Sequence, residues 1–544
     1  MEKGIQAIED GTVKDGRLKD VIFSSVVMTM AAHAYSFFNS SFVNDRMAFF
    51  VRPDYTTASM GRWFIQFYEM MRSWSYLPWM EGILMCLFIG LSLYMIVDIL
   101  QIKRRISIWI VAGLYVTDIS IVGGNLYEGD AYAFALMLSS LSVWIWNMKE
   151  KTGSNLVQKH IQRRCGLRIM LSAVLICLCL GTYGAYAPVA PTIVVLTCFC
   201  LLFINKDVKY LFVRAVEYVI SFALGLCLYY IILRLFLKFQ NLEMLAYMGE
   251  DRLVKGFSGH ELLSYFRLAY KSTIESWCGL DQVAYGSVGM TKWIACSIFI
   301  LGVLLFLLHM INERLVLKNK GNVIFLIVLI VLLPFSAGMI QIMAFGNVHF
   351  LMVFPYILFY IGIVKLCESE AFSCRLKTKC TLKKITNCVS MVVVALLILV
   401  VFRGIVITNM AYAGLEKNYT ASRSIATRLM DRIESCEDST GDETIIFVGD
   451  LSDNAYYRMP SGEGDYWKNK AGIVPLATYS TAYAYYGSTR AFLRDVMGFY
   501  RNMAYYSPGT FEAAETELIT EMPVFPADGS VDKIGNCIIV KLSQ

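Results

Sequence analysis

The chain has 544 residues, of which 57% are hydrophobic and 17% are charged. Soluble proteins carry charge on about a quarter of their residues, so this composition excludes a soluble enzyme, a secreted disulfide scaffold and a disordered protein. A mean hydropathy of +0.53 indicates an α-helical polytopic membrane protein instead. The net charge of +6 is small and dispersed, so we expect no nucleic-acid partner.

Apolar segments that can cross a bilayer recur along residues 1–407. The hydrocarbon core needs about 20 apolar residues per helix, with about 17 to 25 tolerated. The sequence predicts about eleven transmembrane helices, at 21–38, 79–100, 106–122, 131–148, 169–183, 188–204, 215–236, 293–311, 323–343, 351–366 and 385–407.

Lysine and arginine are distributed unevenly between the connecting segments. With the N-terminus inside, the cytoplasmic segments hold 24 of them in 84 residues, and the outer loops hold 10 in 115 residues. Positively charged segments stay in the cytoplasm. We therefore expect a multi-pass protein of the inner (plasma) membrane, with a cytoplasmic N-terminus and residues 408–544 outside.

The C-terminal segment 408–544 has a different pattern, which predicts an extracytoplasmic α/β domain beside the transmembrane domain 1–407. Residues 415–435 have helical spacing. The β-branched runs Thr444–Val448 and Cys537–Leu542 predict buried strands, and Phe492–Tyr500 and Phe511–Ile519 predict helices between them.

The predicted topology limits where chemistry can take place. No cytoplasmic segment exceeds 20 residues, whereas a nucleotide-binding α/β domain needs on the order of 100 residues or more. Chemistry is therefore expected on the outer face, where nucleotide-activated substrates are generally absent. A group-transfer enzyme with this layout needs a donor that arrives in the membrane, such as a lipid-linked sugar.

The first outer loop has the highest density of polar residues near the membrane. Asp45 follows the first span closely, where a partly desolvated carboxylate can act as a general base. Arg46, Arg52 and Arg62 supply forked donors suited to the phosphate of a lipid donor. The alternative is structural: Asp45 and Arg46 cap the first helix, and Arg62 with Trp63 anchors the loop at the interface.

A second acidic pair, Glu128 and Asp130, lies between the third and fourth spans, with no basic residue nearby in the sequence. These carboxylates can bind sugar hydroxyls, hold a divalent cation together with Asp45, or serve as the base. Equally, they can be solvated loop residues, or Asp130 can be a helix N-cap. No local ligand cluster predicts a metal, so a divalent cation is possible but unassigned.

Aromatic residues and one histidine complete the candidate sugar- or acceptor-binding set. Tyr183 and Tyr186 close the fifth span, and they can stack on a sugar or belong to the interfacial aromatic belt. His349 lies in an outer turn, where a lone histidine is more often structural than catalytic.

The order of these features resembles the type II O-antigen glucosyltransferases, the serotype-conversion enzymes of the GT-C superfamily. The resemblance covers essentially the whole chain. It is carried by Asn44-Asp45-Arg46, Gly61-Arg62-Trp63, Thr182-Tyr183-Gly-Ala-Tyr186, Asn418-Tyr419, Ile445-Ile-Phe-Val-Gly449, Met522-Pro-Val-Phe-Pro526-Ala-Asp-Gly529-Ser and Ile538-Ile-Val-Lys541-Leu.

The resemblance implies a GT-C-like transferase that moves glucose or a similar hexose from a polyprenyl-phosphate carrier onto a cell-surface glycan. It implies that Asp45 is the catalytic carboxylate and that Arg62 belongs to the family's Gly-Arg pair. Two positions depart from the pattern. Residue 44 is asparagine, so a second carboxylate would have to come from Asp54, Glu128 or Asp130. An arginine is expected before the tenth span, where His349 stands nearest.

Two other functions fit parts of the sequence. A flippase or transporter of lipid-linked saccharides explains the many spans, but it assigns no role to the C-terminal domain or to Asp45. A non-enzymatic scaffold for surface-polysaccharide assembly would tolerate every substitution in the first loop. Free polyprenyl phosphate is the product that distinguishes a transferase from both.

Overall fold

The computed structural model is mostly helical. It describes residues 2–39, 56–148, 157–204, 207–245, 259–280, 286–312, 319–368, 380–436, 440–454, 456, 488–507, 509 and 511–544. These residues divide into two compact units. The helical unit comprises 1–34, 52–74 and 79–408, and the α/β unit comprises 35–51, 75–78 and 409–544.

Sixteen helices are described as far as residue 434. They are α1 (Glu2–Phe38), α2 (Thr56–Ser59), α3 (Ile65–Met71), α4 (Pro78–Ile99), α5 (Arg105–Val116), α6 (Ile119–Gly124), α7 (Gly129–Asn147), α8 (Val157–Tyr183), α9 (Val189–Phe203), α10 (Val208–Gln240), α11 (Gly259–Trp277), α12 (Lys292–Asn312), α13 (Lys320–Gly338), α14 (Ile340–Met343), α15 (Ile357–Cys367) and α16 (Cys380–Glu434). Short 3₁₀ turns lie at Gly184–Tyr186, Phe350–Met352 and Phe354–Tyr356.

Among the described residues, seven helices are long and apolar enough to cross a membrane. They lie at Arg17–Phe38, Pro78–Ile99, Cys165–Tyr186, Val208–Gln240, Lys292–Ile311, Lys320–Gly338 and Lys384–Glu434. Three shorter apolar helices lie at Arg105–Val116, Val189–Phe203 and Phe354–Cys367. The protein is therefore a multi-pass membrane protein. Every segment predicted as a span falls on helical structure, and the total of eleven spans stays a prediction.

Three predicted spans are interrupted, and the one at 323–343 is divided at Met339, between α13 and α14. The segment 106–122 is not one helix, because α5 ends at Val116 and α6 begins at Ile119. The Asp118 side chain accepts a hydrogen bond from the Ser120 N–H (2.8 Å) and so caps α6. The segment 351–366 begins with two 3₁₀ turns, and its regular helix starts only at Ile357, after Pro355.

Close helix packing around α8 organises the part of the helical unit that holds the candidate residues. Helix α8 packs against both α7 and α10. Gly225 of α10 permits the close approach, since a Cβ there would lie 2.8 Å from the Ala173 carbonyl oxygen of α8. Small residues serve this purpose at helix contacts in membranes.

The α/β unit contains a four-stranded sheet in the order β2-β1-β4-β3. The strands are β1 (Thr444–Val448), β2 (Met503–Tyr505), β3 (Val531–Ile534) and β4 (Cys537–Lys541). Strand β1 is parallel to β2 and β4, and β3 is antiparallel to β4. The C-terminal part of α16 buries Ile425, Leu429 and Ile433 in the same core as Phe447 and Val540.

The predicted elements of this unit coincide with the structure to different degrees. The two predicted strands match β1 and β4, whereas β2 and β3 were not predicted. The helix predicted at Phe492–Tyr500 is wrong in its second half: a short α-helical turn, α17 (Ser488–Ala491), continues as a π-helix over Phe492–Val496 and then ends. Gly498 follows with a φ of 72°. The last predicted helix is α18, at Ala513–Glu521.

Candidate functional site

Four of the candidate residues from the first loop, Asp45, Arg46, Arg52 and Asp54, lie outside the described residues. Their roles as base, phosphate ligands and second carboxylate stay predictions. The described part of this loop begins at Thr56, and it contains Arg62 and Trp63.

Arg62 lies against a cluster of three tyrosines contributed by α7 and the end of α8. Its guanidinium carbon is 5.1 Å from the centroid of the Tyr183 ring, which is within the range of a cation–π contact. The Tyr183 ring stacks on Tyr132 at 4.1 Å and meets Tyr186 edge-on at 5.1 Å. All three rings are buried. The tyrosine cluster, Tyr132, Tyr183 and Tyr186, therefore forms a packed platform beneath Arg62.

The turn that carries Arg62 is fixed on both sides. Gly61 adopts a φ of 80°, a conformation that glycine enters readily, and its carbonyl accepts a hydrogen bond from the Tyr229 O–H (3.1 Å). On the other side, the Trp63 indole is buried against Gly181. The Phe64 N–H donates to the Gly181 carbonyl (2.7 Å). Trp63 thus packs the loop onto α8.

A buried ionic cluster lies at the starts of α4 and α7. Arg72 Nη1 is 3.0 and 3.1 Å from the two Asp130 carboxylate oxygens, and 3.3 Å from Glu81 Oε1. The Tyr68 O–H donates to Asp130 at 2.7 Å. We call Arg72, Asp130, Glu81 and Tyr68 the Arg72 cluster.

The Arg72 cluster corrects two expectations about Asp130. A cationic partner does exist, because Arg72 reaches Asp130 from 58 residues away. Asp130 is also not an N-cap: it lies in the first turn of α7, with Glu128 at the capping position. A carboxylate in this turn also interacts favourably with the helix dipole.

Glu128 is hydrogen-bonded to the Glu69 side chain. Burial, followed by the charge of Glu128, raises the pKa of Glu69 to about 9, because desolvation and a neighbouring carboxylate both disfavour the ionised form. The pair therefore retains a proton at neutral pH.

These contacts restrict what the two acids can do. Both carboxylate oxygens of Asp130 are bound by Arg72, and one also accepts the Tyr68 hydroxyl proton. The Glu128 side chain is hydrogen-bonded to Glu69. A general base must be able to accept a proton from its substrate, and Asp130, held by an arginine and a tyrosine hydroxyl, is not prepared for that role.

His349 lies at the turn before the 3₁₀ helix Phe350–Met352, with its ring against Phe350 at 4.0 Å between centroids. Burial lowers the pKa of His349, so the ring is neutral near pH 7 and supplies no charge to a phosphate. The Phe350 carbonyl accepts a hydrogen bond from the Ser120 hydroxyl (2.9 Å). The Ser120 carbonyl in turn accepts one from the Tyr186 O–H (3.5 Å), so Phe350, the residue after His349, is joined to the tyrosine cluster through Ser120.

A metal site is not evident in the part of the chain that the structure describes. No group of three or more His, Cys, Asp or Glu side chains there is arranged to hold a metal ion. The divalent cation considered from the sequence stays a prediction.

Sequence reasoning missed three members of this region, Tyr68, Glu69 and Arg72. Glu81, a further carboxylate of the region, lies near the start of the span predicted at 79–100. A usable signal was present, because the short amphipathic segment 65–72 places a tyrosine, an acid and a base between two apolar elements. Two acids in a predominantly apolar segment without a basic neighbour favoured a cation from elsewhere in the chain.

Comparison with known proteins bears on this region directly. A family model described as glucosyl transferase GtrII matches residues 34–367. The match includes the first loop, the tyrosine cluster and the Arg72 cluster, and it covers more than half of the chain. A comparison with curated protein sequences finds no match. The resemblance to the type II glucosyltransferases is thus confirmed: the chain belongs to the glucosyl transferase GtrII family and is a membrane glucosyltransferase.

Proposed function

We propose that the protein transfers glucose, or a similar hexose, from a polyprenyl-phosphate carrier to a surface glycan on the outer face of the membrane. The observation that carries the proposal is the extent of the glucosyltransferase match. It falls on five of the seven helices that are long and apolar enough to cross a membrane and on the loop in which Arg62 lies over Tyr183.

The lipid-linked donor is supported by the way the chain is divided between membrane helices and the segments that connect them. The helical unit consists of apolar helices with short connections, and the segments predicted to be cytoplasmic are each at most 20 residues long. A nucleotide-sugar site needs a folded domain of its own, whereas a polyprenyl chain brings the sugar to the membrane interface. Arg62, next to the end of α8, is suited to a phosphate held at that level.

In the proposed reaction, Asp45 takes the proton of an acceptor hydroxyl. The oxygen of that hydroxyl attacks the anomeric carbon of the donor sugar. The bond from that carbon to the phosphate oxygen breaks, and polyprenyl phosphate leaves with the electron pair. Arg62 stabilises the negative charge that develops on the phosphate, with Arg46 and Arg52 as further ligands. Such fixed charges act most strongly where water is scarce.

The choice of Asp45 as the base is supported by the contacts that the other acids already make. Asp130 is bound by Arg72 and Tyr68, and Glu128 is hydrogen-bonded to Glu69. Asp54 is another carboxylate of the same loop, at which the same chemical change can be made for comparison.

The test is turnover of polyprenyl-phosphoglucose by the purified protein with a candidate glycan, read as release of free polyprenyl phosphate. We expect release from the lipid donor but not from a nucleotide sugar, and a loss of about 10²–10⁴-fold in Asp45→Asn. Asp54→Asn should retain most activity. The same assay with a metal chelator tests the predicted divalent cation. Movement of intact lipid-linked sugar without release would identify a flippase instead. Near-normal turnover by Asp45→Asn would exclude Asp45 as the base.

A further inference from the structure

The segment from Arg62 to Arg72 is attached to α7 at both of its ends. At one end, Arg62 lies over Tyr183, which stacks on Tyr132 of α7. At the other end, Arg72 is ion-paired with Asp130, two residues before Tyr132. The segment and the tyrosine cluster are therefore held in one register.

Contacts between these two ends strengthen the attachment. The Tyr68 hydroxyl donates to Asp130, and the Tyr68 ring stacks on Phe134 of α7 at 5.2 Å. Arg72 also lies over the Tyr68 ring at 5.4 Å. Arg72 and Asp130 are 7% and 0% exposed as side chains, so water cannot replace either partner without opening the packing.

We propose that Arg72 and Asp130 are positioning residues for the donor phosphate: their ion pair fixes segment 62–72 on α7 and so keeps Arg62 over Tyr183. The inference rests on the proposed function, because Arg62 acts there as the phosphate ligand. Arg72 itself is balanced by Asp130 and Glu81, so it acts through the placement of Arg62 and not by contact with substrate.

The geometry predicts which substitution in the Arg72 cluster should displace Arg62. Asp130→Asn removes the ion pair that joins Arg72 to α7 and leaves Arg72 paired with Glu81 of α4, so Arg62 should lose its fixed position. Glu69→Gln makes the same carboxyl-to-amide change in the same region, but it mimics a carboxyl that already carries a proton. Glu69→Gln is therefore the matched control.

The experiment is a double-mutant cycle between residues 130 and 62 on the full-length protein, with KM for polyprenyl-phosphoglucose and kcat measured separately. We expect Asp130→Asn to raise KM about tenfold, in line with the loss of a hydrogen bond to a charged group, because the donor phosphate is already charged when it binds, and to lower kcat as well, because Arg62 also meets the charge that develops in the reaction. In an Arg62→Ala background, Asp130→Asn should have little further effect, because coupled residues are not additive. Glu69→Gln should keep the KM of the wild type.

Three results would overturn the inference: independent, multiplicative effects of the two substitutions, an unchanged KM in Asp130→Asn, or an equal KM increase in Glu69→Gln. If Asp130→Asn does not fold, Tyr68→Phe takes its place in the cycle. That variant removes the hydroxyl donor to Asp130 and retains the ring on Phe134. Absence of lipid-donor turnover in the wild type would contradict the proposed function instead.

Discussion

The contact between Trp63 and Gly181 provides a direct perturbation of the loop that carries Arg62. A Cβ added at residue 181 would lie 2.7 Å from Trp63 Cε2 and 3.0 Å from Phe64 Cβ. Trp63 is only 6% exposed, so its ring cannot swing into solvent. The Phe64 N–H bond to the Gly181 carbonyl holds the other side of the contact. Gly181→Ala must therefore displace the loop by several tenths of an ångström.

The expected magnitude follows from these distances. Insertion of a methyl group into a packed site costs about 1–3 kcal/mol, and we expect this loss in the free energy of unfolding. Because Arg62 precedes Trp63, the same displacement moves the guanidinium relative to Tyr183. A misplacement of about 1 Å can reduce catalysis about 100-fold, so the smaller shift here predicts a loss in kcat/KM of about tenfold.

Gly184→Ala is the control, three residues along the same segment. Its added Cβ would meet Leu180 Cδ2 at 3.7 Å, which is an ordinary van der Waals distance. Thermal unfolding and donor turnover of both variants, measured in the same membrane mimetic, compare the two positions. Wild-type stability and turnover in Gly181→Ala would refute the view that Trp63 fixes the loop on α8. Equal losses in both variants would show that the helix end tolerates no side chain at all.

Two further predictions concern pH. The pKa of Glu69 in the folded protein is raised to about 9 by burial and by Glu128, whereas a glutamate of the unfolded chain titrates at about 4.3. The folded state therefore binds this proton more tightly, and the protein loses stability as pH rises from about 4.3 to about 9. Glu69→Gln should flatten the dependence of Tm on pH between these limits. In the α/β unit, the Thr440 N–H and Lys533 hold the pKa of Glu443 well below its ordinary value. Glu443→Gln should lower Tm near pH 7, and the difference from the wild type should shrink as pH falls below about 4, where Glu443 of the unfolded chain takes up a proton and the folded carboxylate stays ionised to lower pH.

The hydrophobic pattern was sufficient to locate the helical segments. In a bilayer the backbone hydrogen bonds are made within each helix, and the apolar side chains of that helix face either lipid or a neighbouring helix. It could not locate the interruption of the third predicted span. Thr117 and Asp118 stand in an apolar run, and only the fold reveals that Asp118 caps a new helix. In the sheet, β1 and β4 carry continuous β-branched runs, whereas β2 has three half-buried residues and β3 alternates too briefly to stand out.

The candidate site was predictable only in part, because the formal charge of a residue does not show which residues surround it in the folded protein. Arg62 and Arg72 lie in the same loop with the same charge, and in the sequence either is an equally good phosphate ligand. The fold separates them: Arg72 is balanced by Asp130 and Glu81, whereas Arg62 lies over the neutral ring of Tyr183. A charge already paired with carboxylates adds little attraction for a phosphate. Arg72 is therefore committed to the Arg72 cluster, and in the proposed mechanism it acts by determining where Arg62 stands.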